Sequence, residues 1–309
     1  MPEFQYLFGP VPSRRFGLSL GVDLVPRKTC SLDCVFCEVG PTTYQTRARR
    51  EYVPTAAVLK ELDAWFALNL KADFITVTGS GEPTLHTRFG DVLAAIRACG
   101  RIRSALLTNS SLLYLKEVQE SAAKADVVKA TLLAWDQASF AAITHAPPDQ
   151  KFDQLLEGLQ HLRQILPGEL WLEVFLVPGL NTMPSQVEAM AALARTIRPD
   201  RIHLNTAVRP TAQRNVLPLA EAQLRSFCGF FSPPAEVIAR YAPSGGHLPL
   251  ADKTTVLAML ARRPCTELDV AQAFALSQEQ ADDLVRQLLA EGRVRAEERQ
   301  GETYYYGVS

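Results

Sequence analysis

Cys30, Cys34 and Cys37 stand in the run Cys-Ser-Leu-Asp-Cys-Val-Phe-Cys. Three thiolates at this spacing can each bind one iron of a [4Fe–4S] cluster and leave the fourth iron without a protein ligand. An electron-transfer cluster is closed by four cysteines, so an open iron is a place for something else to bind. Zinc would want a fourth Cys or His close by, and the nearest downstream histidine is His86. A disulfide would leave an odd thiol and would need an oxidising compartment. An open cluster is the expected chemistry, with zinc or a redox pair as the alternatives.

Two further motifs accompany the cysteines. Phe36 directly precedes the third of them, and Gly79-Ser80-Gly81-Glu82-Pro83 follows the next strand pattern. Together they resemble the radical S-adenosylmethionine (SAM) superfamily over residues 9–230. The stretch Gly9-Pro10-Val11-Pro12-Ser13-Arg14-Arg15-Phe16-Gly17 is similar to the signature of small Fe–S oxidoreductases related to the tRNA wyosine-base synthases. In that superfamily the amino and carboxylate groups of SAM occupy the open iron. An electron from a donor such as flavodoxin or ferredoxin cleaves the sulfonium, and the 5′-deoxyadenosyl radical removes a substrate hydrogen.

The resemblance implies a [4Fe–4S] cluster on Cys30, Cys34 and Cys37, with Phe36, Gly79, Ser80, Gly81, Glu82 and Asn109 at the cofactor. The glycines would let the backbone approach a ligand closely. Wyosine-base synthases carry a second set of cysteines upstream, and this chain has none before Cys30. A single cluster is expected. An RNA base and a protein both remain open as substrate, and an Fe–S redox-sensing, nucleic-acid-binding regulator is the alternative of a different class; a glycine-rich SAM site and a polar lumen favour the enzyme.

The bulk composition agrees with such an enzyme. At 309 residues, 47% hydrophobic and 21% charged, the chain can bury a substantial core and reads as an ordinary soluble protein. No run of 18 apolar residues suggests a membrane span. The start, Met-Pro-Glu-Phe-Gln-Tyr, lacks the basic and apolar stretches of a signal peptide, so a cytoplasmic location is expected. Cys99, Cys228 and Cys265 lie apart from one another in apolar surroundings and read as small buried hydrophobes. Between Arg14 and Arg50 seven basic residues face three acidic ones, which suggests a basic rim for an anionic substrate, nucleic or phosphorylated.

Short apolar strands alternate with helical periods, the pattern of a parallel sheet. Strands are expected at Phe16–Leu24, Phe74–Thr78, Ser104–Thr108, Val127–Leu133, Leu170–Val177 and Ile202–Thr206. Helices are expected near 55–70, 87–99, 112–123, 152–165, 184–197 and 218–230, with cap chemistry at Thr55, after Pro54, and at Ser185, after Pro184. Six β/α units over residues 1–232 give an α/β fold, a partial (β/α)6 barrel, with a flavodoxin-like sheet as the alternative. Barrel chemistry gathers at the C-terminal ends of strands. The cysteine loop, Gly79–Glu82 and Thr108-Asn109-Ser110 would then surround one mouth.

Strand parity points Lys129, Thr131, Glu173, His203 and Asn205 into the lumen. Ionisable groups are costly to bury without a task or a partner, so Lys129, Glu173 and His203 are the candidate catalytic residues, unless Lys129 and Glu173 merely pair. Thr131 and Asn205 are assigned to the cofactor. Arg209, after the last strand, is a candidate ligand for a carboxylate or phosphate. The segment Trp135–Gln150 reads as a long loop, a substrate lid in which His145 could donate a proton.

Residues 233–249 read as a linker, punctuated by Pro233-Pro234 and Ser244-Gly245-Gly246. From 250 to 309, three helical periods and a hairpin around Gln300-Gly301 describe a winged helix. Thr266–Asp269 and Ser277–Gln280 look like capping boxes. Seven basic residues against ten acidic from Leu250 onward give −3, and the third helix carries Glu279, Asp282, Asp283 and Glu291 against Arg286. A DNA reader needs the opposite sign, so a protein-contacting or site-covering role is expected.

Overall fold

The structure, a computed structural model, describes residues 4–238, 251–299 and 301–308. The chain opens with β1 (Leu7–Ser13), antiparallel to β2 (Gly17–Asp23), and then makes a short ladder of β3 (Thr29–Cys30) with β4 (Tyr44–Gln45). Helix α1 (Thr55–Ala67) leads into β5 (Phe74–Thr78), followed by α2 (Phe89–Cys99), β6 (Arg103–Thr108), α3 (Lys116–Ala122) and β7 (Val127–Leu132). Next come α4 (Gln137–Thr144), α5 (Phe152–Ile165), β8 (Glu169–Phe175), α6 (Pro184–Ile197), β9 (Arg201–Asn205), α7 (Glu221–Phe227) and β10 (Glu236–Val237). Eight strands form one sheet in the order β1-β2-β5-β6-β7-β8-β9-β10, parallel from β2 onward.

Alternation along the strands decides what each face meets. Leu170, Leu172 and Val174 of β8, with Ile202 and Leu204 of β9, are buried in the main core beneath the helices. The other face turns inward, and the sheet curls around it. Phe16, just before β2, stacks on Trp171 of β8 at 5.2 Å between ring centroids. These strands are four places apart, roughly 19 Å in a flat sheet, so only a curled sheet brings them together. Phe16, Ala105, Val127 and Trp171 make a separate apolar plug at the base of the lumen.

Three expectations fail for identifiable reasons, and one strand went unread. Trp135–Gln150 is not an open loop: it contains α4, whose Asp136 accepts from the Ser139 amide at 2.7 Å in a reciprocal cap. Its apolar face is short, which hid the period. The helix expected from 112 begins only at Lys116, because Leu112 and Leu113 bury themselves in the turn before it. Thr55 and Ser185 lie inside the first turns rather than capping them; the caps are Pro54 and Met183. Pro10 and Pro12 disguised β1, an edge strand where proline is tolerated.

Within the expected linker, Glu236 and Val237 pair with His203 and Leu204; residues 239–249, with Ser244-Gly245-Gly246, lie outside the described residues. Beyond them come α8 (Lys253–Arg262), α9 (Glu267–Phe274), α10 (Gln278–Ala290) and the antiparallel pair β11 (Val294–Arg299) and β12 (Glu302–Gly307). Gln300, of the expected Gln300-Gly301 turn, also lies outside the described residues. Both expected capping boxes form: Thr266 with Asp269 and Ser277 with Gln280.

This unit has its own core around Val256, Met259, Val270, Phe274, Val285 and Leu288. It also rests on β1. Val11 packs against that core, Arg263 donates to the Pro12 carbonyl at 3.1 Å, and Arg27 reaches back to the Ala261 carbonyl at 3.0 Å. Among the described residues, no helix is long and apolar enough to cross a membrane.

Leu172 sits fully buried in the second-last of the six inner parallel strands. Leu172→Ala should lower unfolding free energy by about 2–5 kcal/mol, read as a reduced urea midpoint with an unchanged slope.

Candidate active site

The polar ends of three parallel strands meet above the plug. Cys30 ends β3, and Cys34 and Cys37 follow in a turn closed by the Cys37 amide donating to the Cys34 carbonyl at 3.1 Å. All three thiols are partly screened from solvent and free of disulfides. Burial, then the Glu82 charge, pushes the Cys30 thiol up to about 12. Burial together with Cys30 and Cys37 pushes Cys34 well above its ordinary value. Three neighbouring sulfurs in this setting ionise readily only if positive charge is supplied to them, as iron would supply it.

Part of the balancing field is already built. Lys28 directs its ammonium at Cys37 Sγ (3.2 Å), and the Asn109 side-chain amide donates to Cys30 Sγ at 3.4 Å. Lys28 is buried, and its backbone amide is tied to the Ser80 carbonyl at 2.8 Å. Among the described residues, no three His, Cys, Asp or Glu side chains converge on a single-ion position. Three thiols without a fourth Cys or His beside them lack the closed ligand set of a structural zinc ion, whereas three are what an open cluster would need.

The glycine motif packs directly on this loop. A Cβ on Gly81 would strike the Thr29 carbonyl, and one on Gly79, whose φ is +143°, would strike the Asp23 carboxylate. Ser80 donates its amide (3.2 Å) and hydroxyl (2.8 Å) to Asp23 Oδ2. Glu82 is fully engaged inside the protein. Its carboxylate accepts from the Thr84 amide (3.1 Å), the Thr108 hydroxyl (2.8 Å) and the Asn109 amide (2.8 Å). It therefore joins the β5 and β6 loops and holds Asn109 against Cys30. Burial raises the Glu82 pKa despite these bonds. Phe36 stacks on Phe175 at 4.0 Å, and Thr131 bonds through its backbone amide to Ser110 Oγ at 3.0 Å.

Below the mouth lies a buried charge cluster. Glu173 is paired with Lys129 through one oxygen and with Arg15 through the other, which also accepts from Asn205 Nδ2 at 2.9 Å. Lys129 and Glu173 do pair with each other, as the alternative held, but Arg15 and Asn205 share the carboxylate. Burial opposes ionisation of Glu173, yet Arg15 and Lys129 hold it well below the usual carboxylate range. Burial, then Arg15, draws the Lys129 amine down to about 7. His203 stands edge-on to Trp171 at 5.4 Å, and its Nδ1 has no partner. Burial, Lys129 and Arg15 lower it to about 4, so its ring is neutral at pH 7.

Three expected roles do not survive. Arg209 is not available to a ligand: it is buried against Glu38 at 3.0 Å, and that partner raises its pKa. His145 is the exposed C-cap of α4, with φ 47°, rather than a loop residue, and its Nδ1 lies 3.9 Å from Asp33 Oδ2. The basic residues 14–50 do not form one rim. Arg14 and Arg15 point inside, Lys28 faces Cys37, Arg47 pairs with Asp149, and Arg49 with Glu117 (3.1 Å).

Other residues were missed. Asp23 was legible by parity as the inward end of β2. Arg262 was not: it arrives from α8 to pair with Asp23 Oδ2 at 2.7 Å and to reach Ser80 Oγ at 3.1 Å.

A mostly parallel, curled α/β sheet with three cysteines and a glycine turn at the strand ends defines a class. Residues 24–194 match the Radical SAM superfamily, and the chain belongs to it. It is an enzyme of that superfamily, whose members use a [4Fe–4S] cluster and SAM. The chain is 34% identical over 209 residues to a UPF0026 protein of Helicobacter pylori, covering 67% of each chain. It is 30% identical over 295 residues to a protein of Brachyspira hyodysenteriae named GTPase Obg, covering 94% of this chain and 43% of that one. This chain has no Gly-Lys step anywhere, hence no Gly-x4-Gly-Lys phosphate loop. The fold is similar to a solved structure of TYW1 with a lysine–pyruvate adduct bound, at a TM-score of 0.53, 16% identity, and coverage of 74% and 76%.

The Lys129 pKa carries a pH signature. The unfolded chain holds this proton to about pH 10.4, whereas the folded chain releases it near 7, so the unfolded state binds more protons in between. Lys129 therefore contributes a rise of stability with pH across that window, by at most about 1.4 kcal/mol per pH unit. Urea midpoints at pH 7.5 and 9 should show this increment in the wild type and its loss in Lys129→Met.

Proposed function

We propose that the chain binds a [4Fe–4S] cluster through Cys30, Cys34 and Cys37 and uses it to cleave SAM and oxidise a substrate at the barrel mouth. One observation carries this: three screened thiols, two of them receiving N–H donors, lie against a glycine turn that no larger residue could form. When bound, the cluster and SAM supply an electron and a 5′-deoxyadenosyl radical for hydrogen abstraction.

The protein's own groups do the positioning. Lys28 and Asn109 stabilise negative charge on Cys37 and Cys30. Gly79 and Gly81 let the turn pack directly on Asp23 and Thr29, which sets it beside the cysteine loop to receive the methionyl end of SAM, and Glu82 fixes Asn109 for it. Phe36 on Phe175 presents an apolar wall, with Thr131 and Asn205 at the cofactor's far side. Lys129, Glu173 and neutral His203 form the floor beneath the substrate. With Glu173 ionised and shared by Arg15, Lys129 and Asn205, its tasks are orientation and field. His203 Nδ1, without a partner, is the group free to exchange a proton.

An RNA base is the substrate class we propose, on the similarity of the Gly9–Gly17 stretch to wyosine-base synthases. A reduced flavodoxin or ferredoxin in the cytoplasm would supply the electron. Residues 251–308 act as a winged-helix-like cover. Arg286 of α10 is already paired with Asp283 at 2.9 Å, which leaves that acidic helix unsuited to DNA and its unit suited to contacting protein and closing the site.

Anaerobic reconstitution with iron, sulfide, SAM and dithionite should yield 5′-deoxyadenosine. Cys30→Ala, Cys34→Ala and Cys37→Ala should each lose cluster absorbance and reduce product at least 100-fold. Cys99→Ala, Cys228→Ala and Cys265→Ala should retain both. Loss of iron in Cys228→Ala or Cys265→Ala would sink the single-cluster assignment.

A further inference from the structure

Between the cysteine loop and the C-terminal hairpin lies a cleft of about 270 Å³. Its walls come from Glu38–Pro41 directly after Cys37, from Pro210–Arg214 after β9, from the end of α8, and from β11 and β12. Six arginines line it (Arg27, Arg214, Arg262, Arg263, Arg295 and Arg299) against Glu38 and Glu297.

The internal pairings do not cancel that charge. Glu297 is taken by Arg295 (3.1 Å) and Arg299 (2.5 Å), Arg262 by Asp23, and Glu38 by Arg209. Among the described residues, Arg27, Arg214 and Arg263 have no carboxylate within ion-pair distance. Arg263 is held by the Pro12 carbonyl, yet its buried Nε has no partner. Arg14, another neighbour of Glu38, is also buried with an unpartnered Nη1. Of the three without a carboxylate, Arg263 is the one with a buried guanidinium nitrogen, and an uncompensated guanidinium in low dielectric is costly; Arg27 and Arg214 are exposed and bring unpaired positive charge to the mouth of the cleft.

We propose that this cleft is a phosphoryl-binding site that anchors the substrate beside the cluster loop. A single carboxylate would neutralise one of three unpaired arginines, whereas a phosphate carries up to two charges and three acceptor oxygens for guanidinium forks. The ring of Tyr306 lines the same cleft, with the Arg295 guanidinium carbon over it at 4.3 Å from the ring centroid, so that an aromatic–guanidinium pair forms part of the wall. Neither half alone makes the site, since the barrel contributes Arg27 and Arg214 and the C-terminal unit contributes Arg263 and Tyr306. The phosphoryl group could belong to a mononucleotide or to single-stranded RNA, and the chemistry at the arginines is the same. As a substrate assignment this rests on the enzymatic reading above; the binding event itself does not.

The test is equilibrium binding to the full-length, cluster-loaded protein without SAM, so that failure here is separate from failure to form 5′-deoxyadenosine. The probes are inorganic pyrophosphate, AMP and a fluorescent 12-nucleotide single-stranded RNA, each at 50 and 200 mM salt. Wild type should bind at least one probe. Arg214→Gln, an exposed position that leaves the fold intact, should weaken binding about tenfold, and Arg27→Gln similarly. The log–log salt slope for RNA should fall by about 0.7 per arginine removed. Tight binding of AMP or pyrophosphate assigns a small phosphorylated substrate, and binding of RNA alone assigns a polynucleotide. If no probe binds, or if binding is unchanged in both variants, the proposal is overturned. So it is if an acidic flavodoxin, and none of the probes, loses affinity in them; the cleft would then be an electron-donor dock.

Discussion

Placing three sulfurs together out of water is the constraint around which this molecule is arranged. A thiol in such surroundings resists ionisation, and three adjacent thiolates would repel one another as well. The surrounding protein answers with a lysine at one sulfur, an amide at another, and a glycine turn packed so tightly that its neighbours have no freedom to relax. Each of these devices needs its own support. Lys28 is fixed through Ser80, Ser80 through Asp23, and Asn109 through Glu82, which in turn spans two strand ends. The cysteine loop is therefore the outer layer of a network rooted in β2, β5 and β6.

The same logic governs the lumen one layer lower. A barrel filled with aliphatic side chains would be cheaper to build, yet this one seats a glutamate among a lysine, an arginine and an asparagine. Replacing such a cluster with packed hydrocarbon is often neutral for stability, whereas removing one member exposes an uncompensated charge. Its retention at the floor of the mouth is therefore explained by what lies above it. Glu173 also bridges β8 to the turn before β2 through Arg15, so the ion cluster works with the Phe16–Trp171 stack to keep the sheet curled.

Much of this was legible in the residues, because the signals were local. Period-2 alternation in Leu170–Val177 separated Leu172 from Glu173, and the structure puts one under the helices and the other in the lumen. Cysteine spacing and the Gly-Ser-Gly turn named the loops that converge. What escaped was long-range or disguised. No local pattern could announce that Arg15 would cross to Glu173, or that Arg262 would travel to Asp23. The arginine-rich stretch from 14 to 50 read as a surface, since sequence carries no record of which guanidinium groups turn inward. Arg209 was mistaken for a ligand group because Glu38, its partner, lies 171 positions away. Prolines hid β1, and the short apolar face of α4 passed for a loop.

The reach of Arg262 has a bearing on how the protein is made. Cys37 leaves the ribosome early, while the arginine that pairs with Asp23 beside the glycine turn is added 225 residues later. At about 5–20 residues per second, that interval lasts roughly 10–45 s. Throughout it the cysteine loop has no C-terminal unit over it. Translation itself thus provides a window in which the inner face of the site stands open before the last helices settle on β1.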